Sequence, residues 1–138
     1  MTGARLPLLI LFVLLAGCGG FRPLDRPQDF PLHATDHPFF DLHWRLDRGE
    51  RVVSAVGLVE ATRQGGFSVV YLELRGLDKG GRVLSRGLGR TWSGRLYRWE
   101  TLPFSVRLRP TGQEDRFELS VWSYDWATDG DGRRRDKF

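Results

Sequence analysis

Apolar and polar residues alternate with a period of two along most of the chain from residue 42 onward. Leu42, Trp44 and Leu46, for example, alternate with polar neighbours. This period is typical of strands that bury one face and expose the other. It predicts six strands, over residues 42–47, 51–62, 67–77, 82–91, 104–109 and 117–122.

The alternation also predicts which side chains of a strand face the core. In the third predicted strand Val70 lies on one face and Phe67 on the other. Gly57, inside the second strand, is a candidate position for a β-bulge. In the last two strands the buried set is expected to be Phe104, Val106, Leu119 and Val121.

Turn-forming sequences separate these strands. Residues 64–66 and 78–81 are rich in glycine, which adopts the positive φ that tight turns need. No helical periodicity follows the N-terminal segment. Short strands with turns roughly every 8–12 residues predict an all-β, antiparallel sandwich.

Four segments of the chain resemble one family of envelope domains. Residues 56–59, 71–74, 77–83 and 102–106 resemble the strands and a hairpin of the FxLYD-type lipoprotein domain, and the likeness extends over residues 51–125. The resemblance implies an immunoglobulin-like β-sandwich of about six to seven strands. It implies no enzymatic activity and offers no catalytic residues.

The first 18 residues have the order of a lipoprotein signal. Arg5 precedes an apolar run over residues 6–15, and small residues then lead to Cys18, the single cysteine of the chain. This order resembles the lipobox of bacterial lipoproteins. The resemblance implies that residues 1–17 are a signal peptide and that Cys18 carries acyl chains such as palmitate. The alternatives are a transmembrane helix, which needs about 20 apolar residues, and a buried core cysteine.

The residue after the cysteine indicates a membrane location, and the net charge bears on the class of partner. Gly19 stands where an Asp would favour the inner membrane, so the resemblance favours an outer-membrane lipoprotein that faces the periplasm. A formal net charge of +4 is too balanced to predict a nucleic-acid partner. We expect a lipidated cysteine and Pro-rich tether over residues 18–40, one β-sandwich domain over 41–127, and a flexible polar tail over 128–138.

Histidine and carboxylate residues crowd together around the start of the first predicted strand: His33, Asp36, His37, Asp41 and His43. Such side chains are ligands for Zn²⁺ or Cu²⁺. Pro31 and Pro38 bracket most of the segment, and no ligand spacing is evident. The sequence therefore predicts a solvated linker here, with no metal site and no cofactor.

Aromatic and basic residues form the remaining candidate site. One group lies between the fourth and fifth strands, and a second lies on the outward phase of the last strand. The two groups are Trp92, Arg95, Tyr97 and Trp99, and Trp122, Tyr124 and Trp126. Trp and Tyr beside Arg are typical of binding surfaces. The alternative is that some of these rings complete the core, with a bulge reversing the phase near Trp122.

These features together predict a lipid-anchored, non-enzymatic binding or assembly module of the bacterial cell envelope. Acylated Cys18 would contact the membrane. An envelope protein would contact the aromatic face or an open sheet edge. The alternative function is carbohydrate binding, to peptidoglycan or a surface glycan, through the same Trp and Tyr side chains.

Overall fold

The computed structural model describes residues 26–92 and 94–127, and this part of the chain is built from β-strands. A short 3-10 helix, Pro27–Asp29, precedes seven strands: β1 (Leu32–Ala34), β2 (Phe40–Arg48), β3 (Val53–Ala61), β4 (Phe67–Leu77), β5 (Val83–Thr91), β6 (Thr101–Leu108) and β7 (Arg116–Trp126). The lipidation site Cys18, the signal peptide and the predicted tail lie outside the described residues. Within the described part, no helix is long and apolar enough to cross a membrane.

The strands form one antiparallel sheet in the order β1-β2-β3-β6-β5-β4-β7. The sheet curls on itself, because β2 and β7 lie far apart in this order and yet the rings of Phe40 and Tyr124 are 5.3 Å apart. The all-β, antiparallel class predicted from the alternation is confirmed. The immunoglobulin-like sandwich remains a prediction, since the hydrogen-bonded ladder runs through a single sheet.

The curl brings neighbouring strands closer than a side chain would allow at two glycines. A Cβ on Gly57 would collide with the carbonyl oxygen of His43, and one on Gly87 would collide with that of Arg107. The ladder between β2 and β3 runs through Gly57 without a register shift. The bulge predicted at Gly57 is therefore absent, and this glycine instead permits the close backbone approach.

The inner face of the curled sheet forms one hydrophobic core. Phe104, Val106 and Leu119 are buried as predicted, whereas Val121 is only half-buried. The largest side chains that are almost completely buried are Phe40, Phe67, Phe104, Leu72, Leu74 and Leu96. The core thus draws on strands from both ends of the sheet order, which holds the curl closed.

Contacts with the core begin before the predicted domain boundary at residue 41. β1 pairs with β2 through Leu32–Trp44 and Ala34–Leu42. Phe30 is 4% exposed, and the Arg45 guanidinium lies 5.9 Å from the centre of its ring. The part of the predicted tether that the structure describes is therefore packed on the sheet.

Two register shifts interrupt the pairing of β4 with β7. One lies between Phe67 and Val69, and the other lies between Tyr71 and Leu72. The first leaves Ser68 unpaired, so that Phe67 and Val70 both reach the inner face, although the alternation predicts opposite faces. The second leaves Trp122 unpaired on β7, which changes the phase of every residue after it.

Candidate functional site

Four of the five tryptophans expose more than half of their surface. Trp92 is 67% exposed, Trp99 62%, Trp122 59% and Trp126 53%, whereas Trp44 is buried in the core. Tryptophan is on average among the more buried residues, so this degree of exposure is unusual. The candidate functional surfaces of the chain are therefore defined by where these four side chains lie.

Trp92 and Trp122 belong to the outer face of the sheet half formed by β5, β4 and β7. Across this face, Arg90 of β5 is opposite Tyr71 of β4, and Tyr71 is opposite Ser123 beside the bulged Trp122. Trp92 directly follows β5, where its backbone N–H donates to the carbonyl of Pro103. We call this surface the outer patch and define it by Tyr71, Leu88, Arg90, Trp92 and Trp122.

The outer patch combines exposed apolar surface with a shallow cleft. Leu88 is 66% exposed and lies opposite Glu73 on the outer side of the ladder. The cleft is lined by Val69, Arg90, Thr91 and Trp92.

Two arginines on this outer face, Arg90 within the outer patch and Arg107 beside it, are unpaired in the described part of the chain. The exposed carboxylate of Asp125 accepts a hydrogen bond from the Tyr71 hydroxyl at 3.3 Å. Arg90 and Arg107 are both exposed, and within residues 26–92 and 94–127 neither guanidinium group forms an ion pair or a hydrogen bond. They are close together, because Arg90 pairs in register with Ser105, two residues before Arg107. Arg86 on the same face is different, since it lies 3.5 Å from the buried carboxylate of Glu73.

Tyr124 and Trp126 do not extend the outer patch. The phase change at Trp122 turns both rings inward, where Tyr124 contacts Phe40 and Trp126 stacks on Phe67. Phe39 contacts Trp126 as well, at a ring distance of 5.9 Å. The continuous exposed stripe predicted for Trp122, Tyr124 and Trp126 is therefore not formed. Tyr124 and Trp126 close one end of the core instead.

Three residues of the other predicted aromatic group, Arg95, Tyr97 and Trp99, lie at that same end of the sheet. Leu96 is completely buried and exchanges two backbone hydrogen bonds with Phe67, which anchors the connection between β5 and β6. Tyr97 accepts a hydrogen bond from Arg95 at 3.3 Å. Trp99 has a φ of 67°, an uncommon value for a residue other than glycine, and its N–H donates to the Ala61 carbonyl.

The structure thus separates the seven predicted surface residues into two places. Trp92 and Trp122 lie on the outer patch, and Arg95, Tyr97, Trp99, Tyr124 and Trp126 lie at the end of the sheet. Sequence analysis missed Leu88 and Arg90 as members of the outer patch. The available signal was the period of two in β5, which places residues 86, 88 and 90 on one face.

The three histidines that are close together in the sequence lie in two different places in the structure. His37 stacks on Phe40 at a ring distance of 5.2 Å, and burial lowers its pKa although the neighbouring Asp36 works in the opposite direction. His33 and His43 instead face each other across β1 and β2, with their Nδ1 atoms 2.8 Å apart. The structure therefore places His33, Asp41 and His43 on paired strands and not in a linker, whereas Asp36 and His37 lie in the connection between β1 and β2.

The comparisons with known proteins add no relative. No protein-family model, no curated protein and no solved structure matches this chain.

Proposed function

We propose that this chain is a lipid-anchored, non-enzymatic module of the bacterial cell envelope that binds another envelope protein through the outer patch. Cys18 provides the anchor in an outer membrane facing the periplasm, and the folded sheet presents the patch to the partner. The proposed partner surface is apolar and acidic, to match the tryptophans and arginines. The proposal assigns no catalytic residue and no nucleic-acid partner.

The exposure of Trp92 and Trp122 on one face is the observation that carries the proposal. A tryptophan side chain buries about 150–250 Å² when it is covered, and Trp and Arg are enriched among the residues that dominate binding energy. Leu88, on the same face of β5, adds further exposed apolar surface. Such a surface is unfavourable in water and is stabilised when a partner covers it.

The charge of the outer patch indicates the chemistry of the partner. Arg90 and Arg107 gain nothing from intramolecular ion pairs within the described residues. A partner carboxylate could form a bidentate pair with either guanidinium. Opposite charges on the two surfaces would accelerate their association, and the arginines would repel a basic surface.

The face of the sheet is a better docking surface than its edges. β1 has only three residues, which is too short to template another strand. β7 is an edge strand within the described part of the chain, but two register shifts interrupt its pairing with β4. Bulges of this kind protect sheet edges from strand addition. We therefore favour side-chain contacts with the outer patch over the open edge that the sequence also suggested.

The envelope location rests on two resemblances. The lipobox-like order ending in Cys18 supports lipidation. The likeness to FxLYD-type lipoprotein domains supports a non-enzymatic envelope role, and its immunoglobulin-like sandwich would be a finer description of the curled antiparallel sheet. Both remain part of the proposal.

Site-specific photocrosslinking in intact cells tests this function. The full-length, lipidated chain would carry a photoreactive amino acid in place of Leu88, or in place of Lys79 in the β4–β5 hairpin as the matched exposed control. We expect a discrete adduct with an envelope protein from position 88 and none from position 79. Equal adduct patterns from both positions, or no protein adduct from position 88, would contradict the proposal.

Carbohydrate binding is the second candidate, and the cleft beside Trp92 is the observation that favours it. A sugar ring would stack on the exposed indole, and Arg90 would donate hydrogen bonds to its hydroxyl groups. Sedimentation with purified peptidoglycan sacculi separates the two functions. Cosedimentation that is lost on Trp92→Ala would favour the glycan, and its absence beside a protein adduct would favour the protein partner.

A further inference from the structure

A second cluster of polar side chains lies on the outer face of the opposite sheet half, away from the outer patch. His33 of β1 is directly opposite His43 of β2, and Asp41 of β2 is directly opposite Glu60 of β3. Asp41 and His43 share a face because they are two residues apart on one strand. The pairing of three strands therefore brings the four side chains together, and we call them the histidine cluster.

His43 is the centre of the histidine cluster. Its Nε2 atom lies 3.1 Å from Oε2 of Glu60, and its Nδ1 atom lies 2.8 Å from Nδ1 of His33. The residue is only 9% exposed. One ligand atom each from Asp41, His43 and Glu60 can be chosen so that all three lie within 4.8 Å of one another.

The two carboxylates of the cluster are not neutralised by arginine. Within the described residues, neither Asp41 nor Glu60 forms an ion pair with Lys or Arg. The nearest arginine on the same strand and face, Arg45, pairs with Asp47 at 3.4 Å instead. The two half-buried carboxylates therefore lie beside the imidazole of His43 and, within the described residues, have no lysine or arginine partner.

We propose that the histidine cluster binds a divalent first-row metal ion, with Zn²⁺ as the committed occupant. The ligands are Nε2 of His43 and one carboxylate oxygen each from Asp41 and Glu60. Zinc bonds to nitrogen and oxygen are about 2.0–2.2 Å long, which puts two tetrahedral ligand atoms about 3.3 Å apart. The 3.1 Å between Nε2 of His43 and Oε2 of Glu60 is close to that separation, and the Asp41 oxygen, which lies within 4.8 Å of both, would have to move closer to complete the site.

The donor set selects the kind of metal. One imidazole and two carboxylates are all ligand types that zinc accepts, and three protein ligands would leave a fourth position open, as in catalytic zinc sites. Mg²⁺ and Ca²⁺ prefer oxygen ligands alone, and they would leave the imidazole unused. The site goes beyond the proposed partner-binding function, because it lies on other strands and needs no contact with the outer patch.

His33 is a positioning residue in this proposal. The 3.1 Å distance joins Nε2 of His43 to a carboxylate oxygen of Glu60, and the 2.8 Å distance joins Nδ1 of His43 to Nδ1 of His33. With Nε2 on the metal, a neutral His43 would carry its proton on Nδ1 and donate it to Nδ1 of His33, whose own proton would then be on Nε2. Such outer hydrogen bonds orient the ligating ring, and their removal typically weakens metal affinity by about 10–100-fold.

Calorimetric titration of the full-length, detergent-solubilised lipoprotein with ZnCl₂ tests the site. The protein would be purified without a histidine tag. We expect saturable binding of one Zn²⁺ per chain, unaffected by a large excess of Mg²⁺, and a Zn²⁺-dependent rise in the thermal unfolding midpoint. Absence of saturable Zn²⁺ binding would overturn the proposal.

Matched variants localise the bound ion. Glu60→Gln and Asp41→Asn keep the shapes of the side chains, and each is expected to weaken Zn²⁺ binding by at least about tenfold. Asp47→Asn on the same face of β2 and His37→Gln outside the cluster are expected to bind like the unmodified chain. Equal Zn²⁺ affinities across all four variants would overturn the assignment.

X-ray absorption spectroscopy distinguishes the ligand from the positioning residue. We expect one imidazole nitrogen and oxygen ligands around Zn²⁺ in the unmodified chain. The His33→Gln variant is expected to keep that ligand set while its affinity falls. Two imidazoles around the metal, with one lost in His33→Gln, would contradict the role given to His33.

Discussion

The indole of Trp126 stacks on the ring of Phe67, with the ring centres 4.7 Å apart and the planes inclined by 27°. The two residues are paired in register on β7 and β4. The stack is on the inner face because the chain bulges at Ser68 and again at Trp122. These bulges therefore decide which aromatic residues pack in the core and which remain exposed.

Removal of the two indoles should affect stability differently. Trp126→Ala removes contacts with Phe67, Phe39 and Tyr124. We expect it to lower the free energy of unfolding by about 1.5–3 kcal/mol, less than for a fully buried Trp because half of the side chain is exposed. Trp122→Ala, at an exposed bulge, should change it by about 0.5 kcal/mol or less. Urea unfolding of both variants measures this difference, and equal midpoints would contradict the assigned faces.

The strands β2–β7 were predictable from sequence because alternation is a local signal. β4 has the predicted bounds, and the inward phase of β6 placed Phe104 and Val106 correctly in the core. β1 was missed because its three residues are too few to show a period. The bulge at Ser68 was missed because one extra residue leaves no local mark in the pattern.

The sites were less predictable than the strands because they depend on pairing across the sheet. Glu60 is 17 residues from His43 in the chain, and only the register of β2 with β3 brings the two together. Tyr124 looked exposed from its phase, but the unpaired Trp122 reversed that phase. The sequence identified the residue types that could form a site, but the pairing of strands in the sheet determined which of these residues are in contact.

The inward register of β7 can be tested at Leu119. This residue is 5% exposed and contributes to the core, whereas Arg107 on β6 is exposed and unpaired within the described part of the chain. Leu119→Ala should lower the free energy of unfolding by about 2–4 kcal/mol. Arg107→Ala should stay within about 0.5 kcal/mol of the unmodified protein. Chemical denaturation that ranks the two variants the other way would show an error in the register.

The loop before β7 should make stability sensitive to acid. Burial opposes the ionisation of Glu114, but hydrogen bonds from the Thr111 N–H, the Ser85 hydroxyl and the Gly112 N–H outweigh it and lower its pKa from 4.5 to about 2. As the pH falls, the Glu114 carboxylate therefore becomes protonated at a higher pH in the unfolded chain than in the folded chain. The stabilisation is complete above about pH 4.5 and is lost between there and about pH 2.

Glu114→Gln measures that contribution. The variant should be less stable than the unmodified protein at neutral pH, and the difference should shrink as the pH falls from 4.5 towards 2. Glu50→Gln, in the exposed turn after β2, is the matched control and should follow the unmodified protein throughout. A pH-independent difference for Glu114→Gln, recorded by thermal unfolding, would mean that the carboxylate charge does not hold the loop.

The membrane anchor can be tested separately from the binding surface. Cys18 is the single cysteine of the chain, so no other thiol can accept the lipid. Cys18→Ala should abolish incorporation of a radiolabelled fatty acid and release the protein from the membrane fraction. Cys18→Ser offers a control that keeps a similar side-chain size and should behave in the same way. Lipid label on either variant would refute the anchor.

The most direct measurement is the photocrosslinked adduct at position 88 in chains that also carry Trp92→Ala and Trp122→Ala. Both indoles are more than half exposed, so the double variant should keep an unfolding midpoint close to that of the unmodified protein. The adduct with the envelope protein should fall by at least about tenfold, because two dominant contacts are removed. A full adduct yield from a folded double variant would show that the outer patch is not the binding surface.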